Sequence, residues 1–330
     1  MIREKQVKRE YQQGKDHPSR NRVQRIAAFC MLSCMALLYA GKSAAKPDMK
    51  PLGPNIADRG SAVYHFSVHQ FDSADGKRHY RVWTGVPDRS PPPSGYPVLY
   101  MLDGNALMDR LSEDLLKQLT QKTPPVIVAI GYQTPLPFDT HARAYDYTPV
   151  AQQQRGAVAV GHYAREGGGS ATFRQLLEGR IAPTVEKNIN IAPDKRGIWG
   201  HSFGGLFVLD SWLTSSFFHF YYAASPSLGR DNFVLLERMA SLNQQGGCHK
   251  QLYLMEGDDP SGRSAAAGAT EVLSRGRKTV SALSANGLAA TYWHYPGLTH
   301  GPMFNASFQS ALLHLAAAGE RSEKRCDIHG

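Results

Sequence analysis

Ser202 stands in Gly200-His201-Ser202-Phe203-Gly204-Gly205, directly after the apolar run Gly197-Ile198-Trp199. This is the G-x-S-x-G pattern of a nucleophile elbow. A strand ends, the chain reverses over the serine, and a helix begins at once, so the hydroxyl stands at the strand's carboxyl end. Glycines on both flanks, Gly200 and Gly204, are expected because a side chain there would collide with the backbone of so sharp a turn. A serine hydroxyl is a weak nucleophile until a base takes its proton. Among the 13 histidines, His300 is the one that follows a strong late strand in a loop, in Gly297-Leu298-Thr299-His300-Gly301-Pro302. His294 falls inside that strand, and His201 flanks the serine with its side chain expected to point away. Ser202 as nucleophile and His300 as base predict acyl transfer through a seryl ester.

The oxyanion of such a reaction needs hydrogen-bond donors, each stabilising the transition state by roughly 3 kcal/mol. The expected pair is the backbone N–H of Phe203 and that of Asn105, aimed by the bend at Gly104. Asp103, just before, equally suits a helix N-cap. A third triad member would follow the strand ending at Met255, where Glu256, Asp258 and Asp259 are candidates. Two arrangements fit the residues. Asp258 (or Asp259) orients the imidazole, or the site is a Ser–His dyad whose ring is held by a backbone carbonyl.

These groups need a scaffold that brings them to one edge. Residues 61–71 alternate polar and apolar, Asp75-Gly76 marks a turn, and His79 to Val86 returns as the second strand of an antiparallel hairpin. Pro97 to Leu102 and Pro125 to Gly131 are unbroken apolar runs, expected of strands buried on both faces. Phe220 to Ser225, Gln251 to Gly257 and Ala289 to Tyr295 supply later strands. Helices are expected from about Asn105 to Leu119, from Ser170 to Lys187, after the elbow, and in the remaining gaps. Strands alternating with helices predict an α/β fold: a mainly parallel central sheet, an antiparallel N-terminal hairpin, and helices on both faces. Serine before histidine is the chain order of the α/β-hydrolase fold. Residues 132–170 are polar and rich in Pro and Gly, which predicts a long insertion that is functional or mobile.

The net charge is +9, but residues 1–45 hold nine basic and three acidic residues, so most of the excess sits there. The charge therefore gives no case for nucleic-acid binding. A basic stretch ending at Arg25, the apolar run Ile26 to Ala40 and the small residues Ser43-Ala44-Ala45 predict a signal peptide or an N-terminal inner-membrane anchor over 1–45. Both place a single domain, 46–330, outside the cytosol. Cys248 and Cys326 are the two cysteines of that domain. In an exported chain they favour a disulfide, with two free thiols as the alternative. No metal, cofactor or nucleotide motif is present.

The combination Tyr100-Met-Leu-Asp-Gly-Asn105, Arg143-Ala-Tyr-Asp-Tyr-Thr-Pro149, Gly200-His-Ser-Phe-Gly-Gly205, Ser225-Pro-Ser-Leu228 and His300-Gly-Pro-Met-Phe-Asn305 resembles the esterase-D-like α/β hydrolases. More narrowly, it resembles the periplasmic siderophore trilactone esterases that act on enterobactin and salmochelin. The resemblance runs from about residue 55 to the end. It implies a small-molecule catecholate substrate, apo or ferric, opened at a cyclic triester of 2,3-dihydroxybenzoyl-serine, and a Ser–His dyad. It also implies a cationic side chain beside the site, matching Arg143, whose guanidinium suits catecholate oxygens. Tyr145 and Tyr147 would contact catechol rings, or pack in the core or at the rim. Alternatives are another esterase-D-type carboxylesterase or acyltransferase, or a pseudo-hydrolase that binds siderophore without turnover.

Overall fold

The computed structural model describes residues 48–150, 158–160, 163–228, 232–242, 250–259 and 266–318. These belong to the compact unit Ala44–Gly330. The expected leader, 1–45, and both cysteines of the expected disulfide, Cys248 and Cys326, lie outside the described residues.

A short helix α1 (Ile56–Arg59) precedes the hairpin of β1 (Tyr64–Asp72) and β2 (His79–Pro87). Next come β3 (Tyr96–Leu102), α2 (Gly104–Arg110), α3 (Glu113–Leu119) and β4 (Val126–Tyr132). The insertion holds α4 (Ala142–Tyr147) and a small hairpin of β5 (Val158–Val160) with β6 (Tyr163–Arg165). A helical run follows: α5 (Ser170–Leu176), a π-helical turn (Leu177–Ile181) and α6 (Ala182–Val185), whose first turn carries a proline. The chain then forms β7 (Ile191–His201), α7 (Phe203–Thr214), β8 (Phe220–Ala224), α8 (Phe233–Ala240), β9 (Gln251–Gly257), α9 (Ala266–Ala285), β10 (Ala290–Tyr295) and α10 (Met303–Ala318).

One eight-stranded sheet runs β1-β2-β4-β3-β7-β8-β9-β10. β3, β4 and β7 to β10 are parallel; β2 pairs antiparallel with β4, and β1 pairs antiparallel with β2. Every residue of β3 and β4 is buried, which is why their sequences are unbroken apolar runs. Two apolar clusters cover the faces. One gathers Tyr100, Tyr132, Phe173, Phe207 and Trp212; the other gathers Trp83, Met101, Trp199, Phe304 and Phe308. The chain leaves β3 toward β4, then returns to place β7 on the other side of β3. Ligands of open α/β sheets bind at the carboxyl ends of strands flanking such a reversal. Here those ends carry Asp103 and Ser202.

The insertion is polar in sequence yet anchored in the interior. Asp146 of α4 is buried. Its carboxylate lies 3.0 Å from Arg78 Nε and accepts hydrogen bonds from Tyr80 (2.9 Å) and Tyr132 (3.0 Å) hydroxyls. Tyr147, expected at the rim or in the core, is wholly in the core against Tyr132, Phe173 and Phe207. Tyr145 lies against the Arg78 guanidinium, 4.3 Å from ring centre.

Burial raises the Asp146 pKa to about 7, against the opposing pull of Arg78 and the two tyrosine hydroxyls. The native state therefore holds this proton more tightly than the unfolded chain, and this group's contribution to stability falls as pH rises from about 4 to about 7. Relative to Asp146→Asn, which cannot ionise, the wild-type protein should gain stability as pH is lowered across that window. Urea midpoints at stepped pH check this, and a constant difference between the two proteins contradicts it.

Candidate active site

Ser202 joins β7 to α7 with φ 61° and ψ −116°, a backbone state that a non-glycine residue adopts only under constraint. The constraints are explicit. The Ser202 N–H donates to the Ala224 carbonyl at 3.0 Å, and the Ser202 carbonyl accepts from Leu206 and Ser227 N–H groups, each at 3.0 Å. A Cβ on Gly200 would lie 2.4 Å from the Gly204 backbone, and one on Gly205 would lie 2.7 Å from the Ala224 carbonyl oxygen. At Gly204 the nearest contacts would be an ordinary 3.5 Å. The expectation that both flanking glycines are sterically required is thus corrected. Gly200 and Gly205 sit where backbones cross, and Gly204 does not.

The Ser202 hydroxyl oxygen is 2.8 Å from the hydroxyl oxygen of Ser227. His300 lies in the turn after β10. Its carbonyl accepts a 2.8 Å hydrogen bond from Nε2 of His201, and the two imidazoles are 4.6 Å apart between centres. The acceptor is a carbonyl, so this nitrogen of His201 carries the proton. The residue immediately before the expected nucleophile thereby fixes the backbone of the residue expected to serve as base. His201, which flanks Ser202 in the chain, thus ties the elbow to the His300 turn through its ring.

Asp258 is not at the imidazole of His300. One carboxylate oxygen is 2.8 Å from Nε2 of His294, and the other accepts the Gly297 N–H at 2.6 Å. The Gly297 amide first, then His294, holds the Asp258 carboxyl below its ordinary pKa. Asp258 therefore clamps the start of the turn that carries His300, with both carboxylate oxygens engaged by His294 and Gly297. Glu256 is buried at the end of β9.

Phe203 and Asn105 occupy the first turns of α7 and α2, where backbone N–H groups have no intrahelical partner. Side-chain bonds fix Asn105 in place. Its Nδ2 donates to the carbonyls of Tyr132 (3.0 Å) and Thr134 (2.9 Å), and its Oδ1 accepts the Tyr132 N–H at 2.8 Å. The sequence carried no signal for this bridge between α2 and the end of β4.

Asp103 takes the helix N-cap position with φ 57°, but its side chain makes no cap. Instead, Arg143 Nε and Nη2 each donate to one of its oxygens at 2.7 Å. The pair is nearly dry, with side-chain exposures of 12% and 1%. The Arg143 guanidinium also lies over the rings of Phe138 (5.4 Å), Tyr147 (5.6 Å) and Phe203 (5.4 Å). Burial alone would lower its pKa; the facing carboxylate more than offsets this and raises it. Arg143 is thus beside the elbow, as expected, but is not a solvent-facing cation waiting for an anion.

The chain matches the Esterase family over residues 73–315. It belongs to that family. Over 321 residues it is 54% identical to the apo-salmochelin esterase of Escherichia coli O6:H1 (strain CFT073), spanning 97% of this chain and 98% of that protein. It is 36% identical to the ferri-bacillibactin esterase BesA of Bacillus subtilis (strain 168) over 178 residues, 52% of this chain and 61% of that one. The solved structure of the enterobactin hydrolase IroE in complex with DFP superposes with a TM-score of 0.72 at 56% identity, covering 80% of this chain and 99% of that one. The sheet order and these neighbours make the fold of this esterase an α/β-hydrolase fold.

Removing one partner of a buried ion pair leaves the other charge without compensation, at about 3–5 kcal/mol. Arg143→Ala should therefore lower the unfolding free energy by that order and should depress hydrolysis of charged and neutral esters alike. Gly204→Ala should be close to neutral in melting temperature, and Gly205→Ala strongly destabilising. Thermal melts and kinetics on both ester types check these outcomes. A stable Arg143→Ala protein that has lost only catecholate ester hydrolysis would restore a charge-recognition role.

Proposed function

We propose that this chain hydrolyses the ester bonds of cyclic catecholate siderophores outside the cytosol, with Ser202 as nucleophile and His300 as general base. The supporting observation is the constrained Ser202 backbone, one residue from the His201 ring that fixes the His300 turn. The 54% identity to an apo-salmochelin esterase over nearly the whole chain indicates the substrate class. In this reading the Ser202 proton passes to His300 as Oγ bonds to the ester carbon, and the carbonyl electrons move to its oxygen. The N–H groups of Phe203 and Asn105 stabilise that oxyanion. Collapse expels a seryl alkoxide of the trilactone, which takes the proton from His300. Water, activated by the same base, then releases the acyl group as a carboxylate, so the ring opens to a linear trimer. The basic and apolar leader supports export of the domain.

Ser202→Ala and His300→Ala should each lower kcat on a cyclic trilactone by at least about a thousandfold while leaving binding in place. Mass spectrometry of products from the apo and ferric trilactone should find the linear trimer, one water heavier than the ring. Full turnover by Ser202→Ala, or hydrolysis of simple aryl esters with no trilactone opening, would refute the nucleophile or the substrate class respectively.

A further inference from the structure

We infer that Ser227 is a positioning residue for the nucleophile, its hydroxyl donating to Ser202 Oγ a hydrogen bond that persists through acylation. The inference rests on the reading above in which Ser202 is the attacking group. It starts from a contact that the Ser–His chemistry does not use. The two hydroxyl oxygens are 2.8 Å apart, and both residues are half-buried at the rim of the site. Ser227 is also tied to Ser202 through the main chain, since its N–H donates to the Ser202 carbonyl at 3.0 Å. Its own carbonyl accepts from Asn232 Nδ2 at 3.2 Å.

The turn that carries Ser227 is built at a cost. Ser225 has φ 39° and is fully buried, and its hydroxyl has no hydrogen-bond partner among the described residues. A left-handed non-glycine residue and a buried unpaired hydroxyl each disfavour the folded state. Pro226 seats this turn on the elbow helix, its Cα 3.0 Å from where a Cβ on Gly205 would be. The strained turn brings Ser227 to the one side chain whose position the chemistry requires.

The direction of the bond follows from the reaction. In the resting enzyme either hydroxyl can donate. During attack, Ser202 gives its proton to His300 and forms the Oγ–C bond while the carbonyl electrons move to oxygen. From that point Ser202 Oγ has no proton to donate, and only the bond from Ser227 remains. Donation from Ser227 in the resting state leaves the Ser202 proton free for the base. It also stabilises the negative charge that builds on Oγ as the proton departs. Ser227 keeps its own proton throughout.

The test compares the full chain with Ser227→Ala and Ser227→Thr, using the acylation burst with p-nitrophenyl acetate and steady-state opening of a cyclic trilactone. The acylation rate of Ser227→Ala should fall about tenfold, as for the loss of one hydrogen bond to a developing charge, with KM and melting temperature unchanged. Ser227→Thr, which restores the hydroxyl, should recover most of that rate. The acid limb of the pH–rate profile should keep its midpoint in both variants, because the proton acceptor is untouched. Wild-type acylation by Ser227→Ala overturns the proposal. So does a Thr variant as slow as the Ala variant, or a loss that appears as raised KM with a lowered melt. Ser202→Ala measured alongside separates the two readings. If it stays active, the nucleophile assignment fails; if it is inactive while Ser227→Ala acylates normally, only the role of Ser227 fails.

Discussion

The site depends on one backbone conformation, that of Ser202. Left to itself, a serine at φ 61° and ψ −116° would relax, and its hydroxyl would turn from the sheet edge. Three main-chain hydrogen bonds hold it, one to β8, one within α7 and one from the Ser227 turn. The helix that follows is buried continuously from Phe203 to Trp212, with apolar residues around its whole circumference. Relaxing the elbow would mean shifting that helix against Leu102, Phe173 and Tyr221 in a close-packed core, which is why the strained state survives.

Around the elbow, charge does structural work in dry surroundings. Helix α4 carries Arg143 and Asp146, three residues apart. Arg143 pairs with Asp103 beyond β3, and Asp146 pairs with Arg78 at the start of β2. The two pairs have opposite orientation: α4 supplies the guanidinium to one and the carboxyl group to the other. Buried pairs of this kind add little net stability, but a wrong placement of α4 would leave buried charges unpaired. The insertion is thereby held in one position, with Phe138, Tyr147 and Phe203 packed about the Arg143 guanidinium beside the nucleophile. The His300 turn is fixed in the same manner from the other side, by Asp258 on Gly297 and His201 on the His300 carbonyl.

Much of this could be read from the residues alone, and the failures have identifiable causes. Seven of the eight main strands fall within about three residues of their expected limits, because doubly buried strands leave unbroken apolar runs and the N-terminal hairpin alternates; β7 begins at Ile191, six residues before the apolar run Gly197-Ile198-Trp199. The helix expected over Asn105–Leu119 is two helices, and the signal for the break was present. Ser112 caps α3, its hydroxyl accepting the Leu115 N–H. The partners of Arg143 and Asp258 are not legible in the sequence, for a common reason. A charged residue in a polar segment looks solvated until its partner is known, and the partners, Asp103 and His294, are 40 and 36 residues away. Local pattern reports which backbone a segment adopts and which chemistry it contains. It does not report which acid faces which base, because that is set by how loops from separate strands meet at one edge. Gly205 teaches the same point at smaller scale, since the motif marks Gly204 and the clash arises from β8.

The central proposal is that the constrained Ser202, activated by the His300 imidazole, carries out the bond exchange. Treatment of the purified chain with diisopropyl fluorophosphate, followed by peptide mapping, tests it most directly. The account predicts a single phosphoryl adduct, on Ser202, forming far more slowly when His300 is replaced by alanine. An adduct on another residue, or no adduct in an enzyme that still opens trilactones, would contradict it.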